Sequence, residues 1–193
     1  MARLFVGVAL DPAVTERAAA AADALRAELG ASDIRIQARW IPRENLHITL
    51  FFIGEIAPDR VDRVKEALSP ALASQAFELE LAGLGAFPPS GVPRVFWIGI
   101  ARGGDPLAAL HREVSDRLSA AGCGREARPY SAHLTIARVK DLPLRGQASR
   151  VRRVLAGTPV RAGVSRVSAV TLFESRLSPK GSTYEPLLRV PLR

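Results

Sequence analysis

Leu46-His47-Ile48-Thr49-Leu50-Phe51-Phe52-Ile53 is dense in β-branched and aromatic residues and reads as a strand. A second stretch repeats its opening: His133-Leu134-Thr135-Ile136, continuing through Ala137-Arg138-Val139. Both read His, apolar, Thr, apolar. On a strand, residues two apart share a face. His47 and Thr49 therefore share one face while Ile48 and Leu50 turn inward, and His133 and Thr135 stand in the same way over Leu134 and Ile136. The chain holds six threonines among 193 residues. A histidine thus has about a 3% chance of Thr two places on, and two of three doing so by accident has odds of roughly 0.3%.

Outward from these stretches, further strands are predicted over 4–10, 77–84, 95–100, 164–173 and 184–190, with Gly and Pro between them. Three helices interleave. Asp11-Pro12 opens the first, with Val14, Ala18, Ala21, Leu25 and Leu29 at helical spacing up to Gly30. Pro58 opens the second, with Val61, Val64, Leu68 and Leu72 on one face, and Asp105-Pro106 the third, with Leu107, Leu110, Val114 and Leu118. Residues 142–159, which include Arg145, Arg150, Arg152 and Arg153, read as a loop followed by a short helix. This alternation is α+β logic, with helices laid on largely antiparallel sheets. At this length residues 1–193 make one domain, or two small lobes sharing a core.

Composition narrows the function. One cysteine, Cys123, excludes an internal disulfide framework and a CxxC pair; between Gly122 and Gly124, with no histidine near it in sequence, it is expected to be inert. No run approaches the ~18 apolar residues of a membrane helix. The apolar start at 4–10 is too short for a good signal peptide, so a cytoplasmic protein is expected, with no membrane partner. The formal net charge is +8, and apart from Lys65, Lys140 and Lys180 all 27 basic residues are arginines. Guanidinium forks suit phosphate, and a positive field draws polyanions. Base composition of the genome is an equal explanation for the arginine count.

Two imidazoles can hold opposite protonation states near neutral pH. One can take a proton from water while the other gives one to a leaving alkoxide, and the threonine hydroxyls can donate to non-bridging phosphate oxygens. That set suits cleavage of a strained cyclic phosphodiester. No Asp/Glu cluster accompanies either histidine and two histidines alone make a poor metal site, so neither metal nor cofactor is expected. The competing reading is a pair of part-buried histidines, each bonded to its threonine.

Beyond the two tetrapeptides, Trp40-Ile41-Pro42-Arg43-Glu44-Asn45 leads into the first motif, and Gly85-Ala86-Phe87-Pro88 and Pro93-Arg94-Val95-Phe96-Trp97 lie between them. A C-terminal stretch carries Ser175, Gly181 and Tyr184. As an ordered set these resemble the 2H phosphoesterase superfamily, and within it the RNA 2′,3′-cyclic phosphodiesterases, also called 2′-5′ RNA ligases. The resemblance implies a bilobal fold with pseudo-twofold symmetry: two antiparallel sheets, helices on the outer faces, and one motif per lobe across a central cleft. It implies His47 as general acid and His133 as general base, with Thr49, Thr135 and Arg138 holding the phosphate. The substrate would be RNA ending in a 2′,3′-cyclic phosphate and the product a 2′-phosphate, with 2′-5′ joining as the reverse reaction. One departure stands out: Ala132 precedes the second motif where the family often has proline, which would stiffen the approach to the strand.

Other residues carry weaker expectations. Arg138, three residues after Thr135, falls on the opposite face unless a bulge intervenes. Phe51 shares parity with His47 and, with Tyr184, is a candidate to stack on a base. Arg43 and the Arg150–Arg153 group are candidates for the RNA backbone. Trp40 and Trp97 are expected to pack in the lobes, and His111 to lie on a solvated helix face. The acid–base pair predicts a bell-shaped pH profile with both limbs near neutrality. The alternative substrate is a small cyclic nucleotide such as ADP-ribose cyclic phosphate; a non-catalytic RNA-binding module is the alternative from another class. A monomer is expected.

Overall fold

The two His-x-Thr-x stretches fall in different sheets. The structure, a computed structural model, describes residues 1–124, 129–142, 146–178 and 181–193. A four-stranded sheet has the order β3-β1-β8-β9, built from β1 (Ala2–Ala9), β3 (His47–Ile56), β8 (Ala169–Ser178) and β9 (Gly181–Pro191). A five-stranded sheet has the order β2-β6-β5-β4-β7. It comprises β2 (Gln37–Trp40), β4 (Phe77–Phe87), β5 (Val95–Arg102), β6 (Leu134–Asp141) and β7 (Arg161–Val167). All neighbours within both sheets are antiparallel.

The two sheets repeat one plan. In the first, β1 runs into helix α1 (Pro12–Ala31) and returns to pair with β3; in the second, β5 runs into α3 (Gly104–Ala120) and returns to pair with β6. β8 flanks β1 as β4 flanks β5, with β9 and β7 beyond them. β2 is an extra edge strand on β6. The pseudo-twofold α+β architecture expected from the sequence is thus the one observed.

Helices α1 and α4 (Gln147–Gly157) pack against the five-stranded sheet, while α2 (Val61–Leu68) packs on α3, which lies against β3 of the other sheet. The inward alternates of the strands build the core. Leu4, Val6, Val8, Ile48 and Leu50 from one sheet and Phe96, Ile98, Leu134 and Ile136 from the other are all essentially inaccessible. Each such side chain contributes about 2 kcal/mol of burial.

Three local readings change. α1 buries Ala22 rather than Ala21. The Asp11 carboxylate at its start accepts the Arg166 amide of β7 at 2.9 Å. α2 stops at Leu68: Ser69 still donates its amide to the Lys65 carbonyl, but Pro70 has no N–H with which to carry the ladder on; Leu72 is buried from outside the helix. The run 164–173 is not one strand: the chain leaves the five-stranded sheet after Val167 and enters the other at Ala169, a crossing that no Gly or Pro marks. The short helix in 142–159 is α4, and Arg145 lies outside the described residues.

Candidate active site

His47 opens β3 and His133 immediately precedes β6. Each ring is held in the same way. His47 Nδ1 lies 2.8 Å from the Asn45 carbonyl and His133 Nδ1 lies 2.7 Å from the Ser131 carbonyl, two residues back in each case. A carbonyl only accepts, so Nδ1 carries the proton in both and Nε2 is the nitrogen left for chemistry. His47 Nε2 is 3.0 Å from Thr49 Oγ1. Asn45 is itself buried, and its side-chain amide donates to the Ser182 carbonyl of β9 at 2.6 Å.

A β-bulge follows each motif at the same place. Val6 pairs with Phe51 and Gly7 with Thr49, which leaves Leu50 as the extra residue in β3. Phe96 pairs with Ala137 and Trp97 with Thr135, which leaves Ile136 extra in β6. A bulge reverses the in–out alternation beyond it. Arg138 is therefore brought to the face of His133 and Thr135, as the resemblance implied. Phe51, by the same shift, is turned into the core at 1% exposure and is not a stacking residue. Phe52 takes its place, 46% exposed and lining the cleft. Phe52 and Arg138 stand at matching positions of the two motifs.

The cleft consists of two adjoining cavities of about 820 and 490 Å³. The larger is lined by His133 and Thr135, the smaller by His47; Thr49, Phe52 and Arg138 line both. β3 and β6 approach each other across the sheets at this point. Tyr184 of β9 lines the His47 cavity and meets the imidazole edge-on, with centroids 5.1 Å apart. Phe5 stacks on the same ring at 4.6 Å. Gly7 leaves room for it, since a Cβ there would stand 3.2 Å from His47 Cδ2 and 3.0 Å from the Ile48 carbonyl oxygen. On the other side Phe87, joined to Pro88 by a cis peptide bond, meets His133 edge-on at 5.0 Å.

Burial in this aromatic setting pushes His47 down to about 4, only partly offset by its bond to Asn45; the charges of Arg138 and His133 add to the depression. Burial lowers His133 as well, offset by its bond to Ser131, and Arg138 lowers it further. Both free imidazoles therefore titrate below their ordinary value, and the near-neutral pair expected from sequence is displaced to the acid side.

The remaining candidates scatter. Arg43 is ion-paired to Glu16 on the surface and does not line either cavity. Arg150 donates to the Ser32 carbonyl, and Arg152 to the carbonyls of Pro88 and Gly91 at 2.8 and 3.0 Å, so these two guanidiniums tie loops together. His111 is not on a solvated face: its ring lies flat on Tyr130 at 4.0 Å. The Tyr130 hydroxyl in turn donates to the Thr49 carbonyl at 3.3 Å, linking the approach of the second motif to the strand of the first. Trp97 packs against Gly85 and Gly99 and Trp40 against Phe96, as expected. Burial raises the Cys123 thiol, in keeping with an inert group. Among the described residues no three of His, Cys, Asp and Glu are grouped as metal ligands, and no helix is long and apolar enough to cross a membrane.

Sequence reasoning missed Phe52, Arg3, Arg39 and Arg94, all of which line the cleft. For Phe52 the only sequence signal was its position, the same distance past His47 as Arg138 is past His133.

Known proteins resemble this chain over most of its length. The model of the 2′-5′ RNA ligase superfamily matches residues 9–175. A protein of Archaeoglobus fulgidus named RNA 2′,3′-cyclic phosphodiesterase is 35% identical over 185 residues, covering 96% of this chain and 97% of the relative. One of the same name from Aeropyrum pernix is 35% identical over 147 residues, covering 76% and 82%. Among solved structures, TT0787 of Thermus thermophilus superposes with a TM-score of 0.74 at 26% identity, covering 99% of this chain and 98% of that one. E. coli LigT complexed with 3′-AMP superposes at 0.72 and 22% identity over 99% and 98%, a likeness of fold.

Proposed function

The chain belongs to the 2′-5′ RNA ligase superfamily, and from that premise we propose that it hydrolyses RNA 2′,3′-cyclic phosphate ends to 2′-phosphates. The observation that carries the reading is the pair of identically held imidazoles, each with Nδ1 bound to its own backbone and Nε2 left for the substrate. The cyclic phosphate lies between them, its non-bridging oxygens on Thr49, Thr135 and Arg138. His133 takes a proton from the attacking water. His47 gives one to the departing ribose oxygen, and the 3′ P–O bond breaks as the new P–O bond forms. Both rings are half-buried, and the phosphate anion favours their protonated forms, drawing their depressed pKa values back up. The cycle closes when the proton gained at one imidazole returns to the other through solvent. Joining of a 5′-hydroxyl end through a 2′-5′ linkage follows the same path with that hydroxyl attacking in place of water, His133 taking its proton and the ribose 3′-oxygen leaving.

No metal is needed in this scheme, because Arg138 and the hydroxyls supply the charge stabilisation. The chain acts as a monomer in the cytoplasm. His47→Ala and His133→Ala each remove at least 10³-fold of the turnover of a short RNA with a cyclic end, at unchanged far-UV circular dichroism. Near-native turnover of either folded variant refutes the assignment. Comparing that RNA with ADP-ribose cyclic phosphate separates the RNA reading from the small-nucleotide one.

A further inference from the structure

The cleft carries more positive charge than one cyclic phosphate requires. A cyclic phosphate is a monoanion with two non-bridging oxygens, and Thr49, Thr135 and Arg138 meet them. Arg3 and Arg39 nonetheless line the His47 cavity as well, and among the described residues its lining includes no Asp or Glu. Arg39 of β2 and Arg138 of β6 are directly paired residues, so their side chains leave the sheet on the same face. Two like charges in that position repel unless an anion lies between or beside them.

Among the described residues neither Arg3 nor Arg39 is ion-paired. Arg39 reaches only the Ser182 hydroxyl, at 3.4 Å, and Arg3 lies over the Phe52 ring at 5.2 Å. Many arginines outside the cleft are occupied. Arg17 is spent on the Ala162 carbonyl, Arg117 on Glu113 and two carbonyls, and Arg176 on Glu174 and Glu185. Space beside Arg39 is kept open at Gly181, where φ is +138° and a Cβ would come within 2.9 Å of the guanidinium.

Building on the hydrolase reading, we propose that Arg39 and Arg3 form a second phosphate subsite, which takes the internal phosphodiester next to the cyclic end of an RNA strand. The subsite makes the enzyme prefer a strand to a mononucleotide, and it lies on the His47 side of the cleft.

The test compares kcat/KM for adenosine 2′,3′-cyclic phosphate, for the dinucleotide ApA with a 2′,3′-cyclic end, and for that dinucleotide with a neutral methylphosphonate linkage. The wild type prefers the charged dinucleotide to the mononucleotide by about tenfold or more, and the methylphosphonate loses most of that advantage. In Arg39→Gln the preference shrinks to within about twofold and the methylphosphonate costs nothing further, the non-additivity expected of one shared contact. The slope of log kcat/KM for the dinucleotide against log salt becomes shallower by about 0.7. Arg3→Gln acts in the same direction, while Arg112→Gln on the exposed face of α3 changes none of these values. Equal losses on mononucleotide and dinucleotide, or additive losses from variant and methylphosphonate, overturn the subsite. A dependence on Arg39 that appears only with ADP-ribose 1″,2″-cyclic phosphate, whose added charge is a pyrophosphate, overturns it too. If no substrate is turned over, the hydrolase reading fails separately. Calorimetric binding of the 2′-phosphate products, dinucleotide against mononucleotide, then decides the subsite, and equal affinities refute it.

Discussion

Replacing His47 by Asn should flatten the acid side of the protein's stability curve. Above pH 6.5 His47 is neutral whether the chain is folded or not, and it contributes no pH dependence. As the pH falls below 6.5 the unfolded chain takes up a proton that the folded one refuses until about pH 4. Stability is therefore lost on acidification, at about 1.4 kcal/mol per pH unit within that window, and it levels off below about 4. The gap between 6.5 and about 4 amounts to roughly 3 kcal/mol, a sizeable part of the 5–15 kcal/mol typical of a domain. Asn keeps a polar group and lacks the proton. Urea unfolding at half-unit steps from pH 7.5 to 4 should show wild type and His47→Asn curves diverging below 6.5, with the variant the more stable at acid pH. The difference cancels the carboxylates common to both. Inorganic phosphate favours the imidazolium, so it raises the folded-state value and should shrink the wild-type loss, which then levels off at a higher pH. Curves that stay parallel across the range, or an NMR titration placing His47 near 6.5, would refute the desolvation assigned to its aromatic surroundings.

The same depression sets the rate profile. The kcat/KM bell should have both limbs below 6.5, one near 4, and an optimum near pH 8 would remove the imidazoles from their roles. Gly7→Ala places a methyl group against His47 and the Ile48 carbonyl; with a shift of a few tenths of an ångström, kcat should fall about tenfold and stability by about 1–3 kcal/mol, checked by kinetics and melting. Tyr130→Phe deletes the bond to the Thr49 carbonyl while keeping the ring on His111; kcat should drop several-fold at a stability cost of about 1 kcal/mol, and an unchanged kcat would show that the link positions nothing. Prolonged treatment with EDTA should leave turnover intact, whereas loss restored by a divalent cation would point to a metal enzyme.

The strands and helices were legible wherever one period ran uninterrupted, as in β1, α1 and α3. Legibility failed where tertiary structure decided. The 164–173 run is uniformly strand-like, so nothing local separates β7 from β8. β2, Gln37-Ala38-Arg39-Trp40, alternates over four residues only, too short a run to stand out in the sequence, and is held by pairing to β6. In the site, the repeated motif located both histidines and both threonines because their geometry is local to one strand. Phe51 is turned away from the cleft and Arg138 toward it for a single reason: bulges at Leu50 and Ile136 invert the alternation on which any parity reading depends. The arginine count proved a mixed signal, with guanidiniums divided between loop carbonyls and the cleft.

The crossing between β7 and β8 means that neither sheet is encoded by a continuous half of the chain. The sheet bearing His47 begins with the first strand and is completed only by the last two, which deliver Phe173 and Tyr184 to that imidazole. During synthesis the first motif leaves the ribosome early and waits for almost the whole remaining message before its surroundings exist. A product cut short between Arg138 and Tyr184 would carry both histidines and no finished centre. Premature termination thus releases an inert fragment, not a promiscuous nuclease.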